Sequence, residues 1–279
     1  MNLEPGFQLS QGSLQDFVEC RRRFELRYLR HLAWPALQSE PALEFERFVQ
    51  QGERFHRMLQ QQLLGVPEER LSAMAQDPDL RRWWDNYLRF YANPEGLGAL
   101  AQGGRQVETT LSAPLGDCRL VAKYDLIVFT RGPRALIYDW KTARKRPRRE
   151  RLAERLQTRV YPYLLVQAGA ALNGGEPFEP EQVEMVYWFA EFPDQPERFP
   201  YSQAAFNTDQ AYLGELVDTI QGMSQFPLTS DEKRCAFCTN RSLCERGVRA
   251  GGMEAMEEAE PGEELELSLD FDQIQEIKF

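Results

Sequence analysis

The segment 118–141, CRLVAKYDLIVFTRGPRALIYDWK, constrains this chain more than any other part of it. Two runs rich in Val, Leu, Ile, Tyr and Phe flank Thr130-Arg131-Gly132-Pro133, a turn sequence, and read as antiparallel strands over 118–130 and 135–140. A strand pair is not stable alone in water and needs further strands or helices on its faces. The flanking sequence supplies both. Residues 105–112 and 182–190 carry the same β-forming character, and 13–31, 40–64, 72–92, 150–172 and 208–224 carry helical patterns. Ser13 with Asp16 predicts a capping box at the start of the first helix. Phe17, Cys20, Phe24 and Tyr28 then fall at helical spacing, which predicts Cys20 on the buried stripe. In the second helix Phe45, Phe48, Phe55 and Leu59 form the apolar face. Strands set between helices give an α/β or α+β domain.

The 279 residues suffice for one large domain or two small ones, and 42% apolar residues can bury a sizeable core. No stretch approaches the length of an apolar membrane span. The N-terminal MNLEPGFQLSQGS has no basic region followed by an apolar one, so the expectation is a cytoplasmic protein without a secretory signal.

The net charge of −10 is unevenly spread. Residues 251–279 hold ten acidic side chains and one lysine, and read as a flexible acidic tail after a folded domain over 1–250. Residues 141–159 hold nine basic and two acidic side chains. Such a stretch is either a solvated helix face or a binding surface for a phosphate backbone.

With the turn centred between residues 132 and 133, Asp125 is expected opposite Trp140, beside Asp139. Asp139 and Lys141 lie two apart on a strand and point to the same face. Close carboxylates repel unless a cation neutralises them, and hard divalent ions such as Mg²⁺ or Mn²⁺ prefer oxygen ligands. A lysine beside that ion can orient water or stabilise charge on a phosphate. The same three residues could equally form a surface salt bridge on a hairpin.

ALIYDWKT resembles the D/E-x-K strand of the PD-(D/E)XK nucleases, and LVAKYDLIV is similar to the aspartate strand of their RecB-like branch, with Ala122 and Lys123 in place of Gly-Arg. GERFHRM resembles that branch's G-x-x-x-H helix through Gly52 and His56, and RLQTRVYPYLL its Q-x-x-x-Y helix through Gln157 and Tyr161. Glu108 is a weaker match to an acidic residue on the preceding strand. The resemblance implies a restriction-endonuclease-like core, a central mixed sheet flanked by helices. It implies Mg²⁺ or Mn²⁺ bound by His56, Asp125 and Asp139, with Lys141 positioning and activating water. Gln157 and Tyr161 would line the site. Cleavage would be hydrolytic and in line, leaving 5′-phosphate and 3′-hydroxyl ends, most in keeping with an exonuclease acting on single-stranded DNA or DNA ends in repair, recombination or CRISPR-type processing. Arg144, Lys145, Arg146, Arg148 and Arg149 would hold the nucleic-acid backbone. No nucleotide-triphosphate loop motif occurs, so any unwinding would come from a helicase partner. The competing expectation is a catalytically silent DNA-binding or assembly module.

Three of five cysteines stand as Cys235-x2-Cys238-x5-Cys244. An odd number in a chain of this kind argues against a disulfide framework and for a metal or cluster site. With Cys20 far upstream, the pattern resembles RecB-like nucleases that carry a 4Fe–4S cluster joining N- and C-terminal segments, although Arg21 replaces the usual proline. Four thiolates suit either that cube or a tetrahedral zinc. Cys118, on a strand, is expected in the core. The tail ends in ELSLDFDQIQEIKF and is either a solubilising segment, a mimic of single-stranded DNA, or a segment that docks on a partner.

Overall fold

A six-stranded mixed sheet runs through the computed structural model, which describes residues 3–32, 40–93, 96–100, 104–130, 134–238, 240–249 and 251. The strands are β1 (Gln8–Ser10), β2 (Arg105–Leu115), β3 (Cys118–Phe129), β4 (Ala135–Lys141), β5 (Val183–Phe189) and β6 (Glu197–Pro200). β3 is the long central member. One edge pairs antiparallel with β2 along the whole strand, around the Gly116–Asp117 turn, where Gly116 adopts φ +59. The other edge is shared: β1 runs parallel beside residues 119–121 and β4 antiparallel beside 126–129. β1 and β4 therefore run towards each other, and residues 122–125 of β3 lie between their two ladders. The sheet forks there. β4 pairs in parallel with β5, and β5 antiparallel with β6.

Both faces of the sheet are covered. β4 and β5 are buried along their entire length, which is why ALIYDWK and VEMVYWF read as continuous apolar runs and not as alternations. On one face lie α1 (Gln11–Glu19), α8 (Leu156–Ala168) and α9 (Gln203–Gly222), whose Phe17, Leu164 and Val217 pack in one core with Leu120, Ile137 and Met185. On the other lie α3 (Glu40–Leu63) and α5 (Pro78–Ala92), whose Phe55, Trp83 and Tyr87 meet Leu126, Trp140 and Trp188. Each such fully buried aromatic contributes on the order of 1.5–3 kcal/mol of burial. Shorter helices are α2 (Arg21–Phe24), α4 (Glu68–Met74), α6 (Leu97–Leu100) and α7 (Arg149–Glu154). The architecture is α/β with a mixed sheet between helical layers, as the motifs implied. Cys118 is buried in the first core. Among the described residues no helix is long and apolar enough to cross a membrane.

Several boundaries differ from the sequence expectation. The first helix starts at Gln11, capped by Ser10 in a box with Ser13, because Asp16 is turned to Arg23, Arg27 and Tyr28 instead. It ends at Cys20, which is extended (φ −156, ψ 101), and a π-helical turn, Glu25–Leu29, follows α2. Cys20 is thus at a break and not on a continuous buried stripe. The expected helix over 72–92 is two helices, since Pro78 sits in the first turn of α5 with Asp77 as its cap. The helix over 150–172 breaks at the extended Arg155 and ends at Ala168. α9 begins earlier than expected, where the Ser202 side chain accepts from the Ala205 amide. β1 and β6 are too short to leave a pattern in sequence. The turn residues 131–133, the side chain of Phe45 and the acidic tail from 252 lie outside the described residues.

Candidate active site

Asp125 lies at the fork. The hairpin pairs Phe129 with Ala135, Ile127 with Ile137 and Leu126 with Tyr138, and the Thr130 amide closes a five-residue loop on the Arg134 carbonyl at 3.0 Å. The expected register was one residue out because the loop centres on residue 132. In a strand pair a one-residue slip exchanges the faces of every side chain. One further step of the observed register sets Asp125 opposite Asp139, not opposite Trp140.

The ladder stops before that step, and side chains satisfy the groups it would have used. The Trp140 amide donates to Asp125 Oδ2 at 3.1 Å. Tyr161 on α8 donates its hydroxyl to the Lys123 carbonyl at 3.0 Å, and Tyr124 donates to the Tyr161 carbonyl at 2.9 Å. Tyr161 therefore shapes the fork through β3. His56 on α3 places Nδ1 3.5 Å from Asp125 Oδ2. Burial alone would raise the Asp125 carboxyl. His56, the Trp140 amide and Lys141 together outweigh it and hold the group below the usual carboxylate range.

Asp139 and Lys141 extend from β4 towards α8. Gln157 donates to Asp139 Oδ1 at 2.5 Å, and Lys141 Nζ lies 2.8 Å from Asp139 Oδ2. Both charged residues are almost inaccessible, at 5% and 3% exposure. An ion pair so deep is costly to assemble and is retained where it has a task. Lys141 also lies 5.7 Å from the centre of the Tyr187 ring, whose hydroxyl meets Thr158 Oγ1 at 2.8 Å. Tyr187, Thr158 and the Trp140 amide were not foreseen. Tyr187 is the β5 partner of Asp139, and only the sheet register reveals that.

Gly52, one helical turn before His56, lets α3 approach the end of β4. A Cβ there would stand 3.2 Å from Thr142 Oγ1. Glu108 occupies the level of Asp125 on β2, with the left-handed φ of +53, and its carboxylate is ion-paired to Lys123. The basic residues after β4 divide. Arg146 and Arg149 are both held by Glu197 of β6, the latter at 2.6 Å, so they pin the segment to the sheet edge. Lys145 and Arg148 are exposed, and Arg144 lies over the Phe48 ring at 5.2 Å.

A family model described as the PD-(D/E)XK nuclease superfamily matches residues 8–245. The chain belongs to that superfamily. Among solved structures it is similar to a protein of Eubacterium rectale, provisionally assigned as an exonuclease, at 10% identity over 91% of this chain and 93% of the other with a TM-score of 0.50. It is also similar to SSO0001, at 13% identity over 88% of each chain with a TM-score of 0.43. At 10% identity the likeness to the Eubacterium rectale protein is one of fold. No curated protein sequence matches the chain significantly.

Elsewhere in this PD-(D/E)XK domain, Cys20, Cys235, Cys238 and Cys244 line a single cavity with Arg23, Arg234 and Arg246. None of the four is in a disulfide. Burial pushes the Cys238 and Cys244 thiols up, and the neighbouring cysteines add to that, while Arg23 opposes it at Cys238 and Arg22 and Arg246 at Cys244. Arg246 Nη1 stands 3.8 Å from Cys235 Sγ. Protein contacts also join the two chain segments here: Glu19 with Arg234 at 3.0 Å, the Arg22 amide with the Pro227 carbonyl, and Phe24 stacked on Phe226. Among the described residues no group of three or more His, Cys, Asp or Glu is spaced to hold a metal ion, at this cavity or at the fork.

Proposed function

We propose that this chain is a RecB-like, Mg²⁺- or Mn²⁺-dependent nuclease that hydrolyses DNA from single strands or duplex ends. The observation that carries the reading is Lys141, buried against Asp139 and acting on Asp125 at the fork of the sheet. The donor types suit a hard divalent cation: two carboxylates, one of them kept ionised, and the His56 imidazole beside Asp125. When bound, such a cation supplies Lewis-acid polarisation of the phosphodiester and a more acidic water.

The protein's own groups then have distinct tasks. Gln157 fixes one Asp139 oxygen and so turns the other towards Lys141. The Trp140 amide and His56 both approach Asp125 Oδ2 and so fix that carboxylate. Lys141, in nearly water-free surroundings, stabilises negative charge on the attacked phosphate far better than an exposed lysine would. Tyr161 holds the β3 edge in place. Lys145 and Arg148 reach the phosphate backbone from the rim, with Arg144 beside them.

We further propose that Cys20, Cys235, Cys238 and Cys244 hold a 4Fe–4S cluster of structural role. What supports this is their shared cavity and the guanidinium groups that would offset the cluster's negative charge. A single zinc needs its four sulfurs close together around one ion, whereas a cube accepts a wider set.

One preparation tests both halves. The full chain, purified without oxygen, is expected to carry about four irons and to degrade single-stranded DNA when Mn²⁺ is added. Asp139→Asn should lower that rate by at least about a hundredfold with iron content unchanged. Undiminished cleavage by Asp139→Asn would discard the site. A wild-type chain inert towards DNA under Mn²⁺ would leave the binding-module alternative.

A further inference from the structure

Phe48, Gly52 and His56 recur every fourth residue and so line one face of α3. The segment leaving β4 runs beside that face in the opposite direction. His56 meets Asp125, whose carboxylate takes the Trp140 amide; Gly52 meets Thr142; Phe48 meets Arg144. The two elements form a continuous wall that leads out from the fork. Phe48 lies about 12 Å from His56 along the helix axis, the length of three to four nucleotides of a stacked strand.

At the outer end the Arg144 guanidinium lies over the Phe48 ring, 5.2 Å from its centre, and the same ring meets Trp83 edge-on at 6.3 Å. Trp83 is fully buried and its indole N–H is tied to Glu191 at 2.8 Å, so the ring beneath the guanidinium rests on fixed support. Arg144 itself is exposed. A guanidinium lying over an aromatic ring presents a planar, positively charged group. Such groups accept the face of an unpaired base and attract its phosphate. A base within a duplex has both faces covered by its neighbours and cannot use it.

Resting on the nuclease reading above, we propose that Arg144, lying over Phe48, is a base platform that selects unpaired nucleic acid a few nucleotides from the cleavage centre. Gly52, lacking a side chain, lets α3 pack closely on Thr142 and so holds the two elements of the wall together. Phe48 is a positioning residue here and not a catalytic one.

The test uses the full chain carrying Asp139→Asn, so that bound oligonucleotides stay intact. Binding is measured for oligodeoxythymidines in which one abasic residue is moved stepwise along the strand. The expected result is one position at which the missing base weakens binding by between about fivefold and a hundredfold. Arg144→Gln, a surface change, and Phe48→Leu, which keeps apolar contact with Trp83, should each abolish that positional penalty. Phe48→Trp should retain it. A penalty undiminished in both Arg144→Gln and Phe48→Leu would overturn the platform, as would equal binding of all abasic strands. The nuclease reading is judged separately, by Mn²⁺-dependent cleavage of the same strands by the chain with Asp139 intact. Cleavage without a positional penalty removes the platform alone, and neither binding nor cleavage removes both.

Discussion

At the fork, each side chain of the candidate site projects from a long regular element. Asp125 and Asp139 stand on strands of the sheet, His56 on a 24-residue helix, and Gln157 and Tyr161 on a helix buried against that sheet. The cysteines stand on short pieces: Cys20 at a helix break, Cys235 in a 3₁₀ turn over Glu232–Phe237, and Cys244 at the end of another over Arg241–Cys244. A side chain on a laddered strand is placed by the whole sheet. One on a 3₁₀ turn is placed only by a few local bonds and whatever its neighbours grip. The fork is therefore organised before it binds anything, while the cysteine end depends on ion pairs and, on our reading, on its cluster.

The largest expected effect follows at the cysteine end. Cys238→Ser should empty the cavity of iron and lower Tm by about 5–10 °C, the scale of a few kcal/mol in a chain of this size. Limited proteolysis should open the segment around residues 227–249 first. Cleavage of DNA per folded chain, measured well below Tm, should stay within a small factor of wild type. Equal Tm values for the two proteins would show that the cysteines hold nothing that stabilises the fold. A collapse of cleavage in a chain that remains folded would show that the two regions are not separable.

A smaller effect concerns the protein's own tie between the segments. Burial would raise the Glu19 carboxyl, but Arg23 and Arg234 prevail and hold it below the usual carboxylate range. A depressed folded-state value means that ionised Glu19 adds stability above its unfolded pKa of about 4.3 and loses it as pH falls through the folded value. Glu19→Gln should therefore cost about 1.5–3 kcal/mol at neutral pH, and the gap to wild type should close below about pH 4. A gap that persists unchanged at pH 3 would assign the loss to packing.

The contrast also explains what could be read in advance. The D-W-K and aspartate strands, the G-x-x-x-H helix and the Q-x-x-x-Y helix announce themselves because each residue type recurs at a spacing fixed by a regular element. Gln157 bonded to Asp139 and Gly52 against Thr142 are direct consequences of that regularity. The register was misjudged because a five-residue loop and a four-residue loop differ by nothing visible in Thr-Arg-Gly-Pro. The fork itself was invisible, since it arises from β1, three residues long, and β4 sharing one edge of β3 although more than 120 residues separate them in sequence. The restraint of Arg146 and Arg149 by Glu197 was hidden for the same reason: its partner lies on β6, too short to announce itself. At the cysteine end spacing told which residues belong together, but not that Cys20 sits at a break.

The finest test of how tightly the fork is set lies at Gly52. Replacing glycine with alanine inside a helix is worth about 0.8–1.0 kcal/mol in favour of alanine. Against this, the new Cβ would stand 3.2 Å from Thr142 Oγ1, a buried side chain with little room to move. The two terms nearly cancel, so Gly52→Ala should alter stability by less than about 1 kcal/mol in either direction. Activity should respond more strongly. Thr142 follows Lys141 directly, and a displacement of a few tenths of an ångström there, or an equal retreat of α3 with His56, disturbs the one constellation that tolerates little misplacement. A fall in kcat of about tenfold is expected, with KM for short oligonucleotides nearly unchanged. Removing the obstructing atoms decides the cause. Thr142→Ala in the Gly52→Ala background should restore most of the lost kcat, while Thr142→Ala alone has little effect. If the double variant is no better than Gly52→Ala, the loss comes from helix α3 itself and not from its contact with the end of β4.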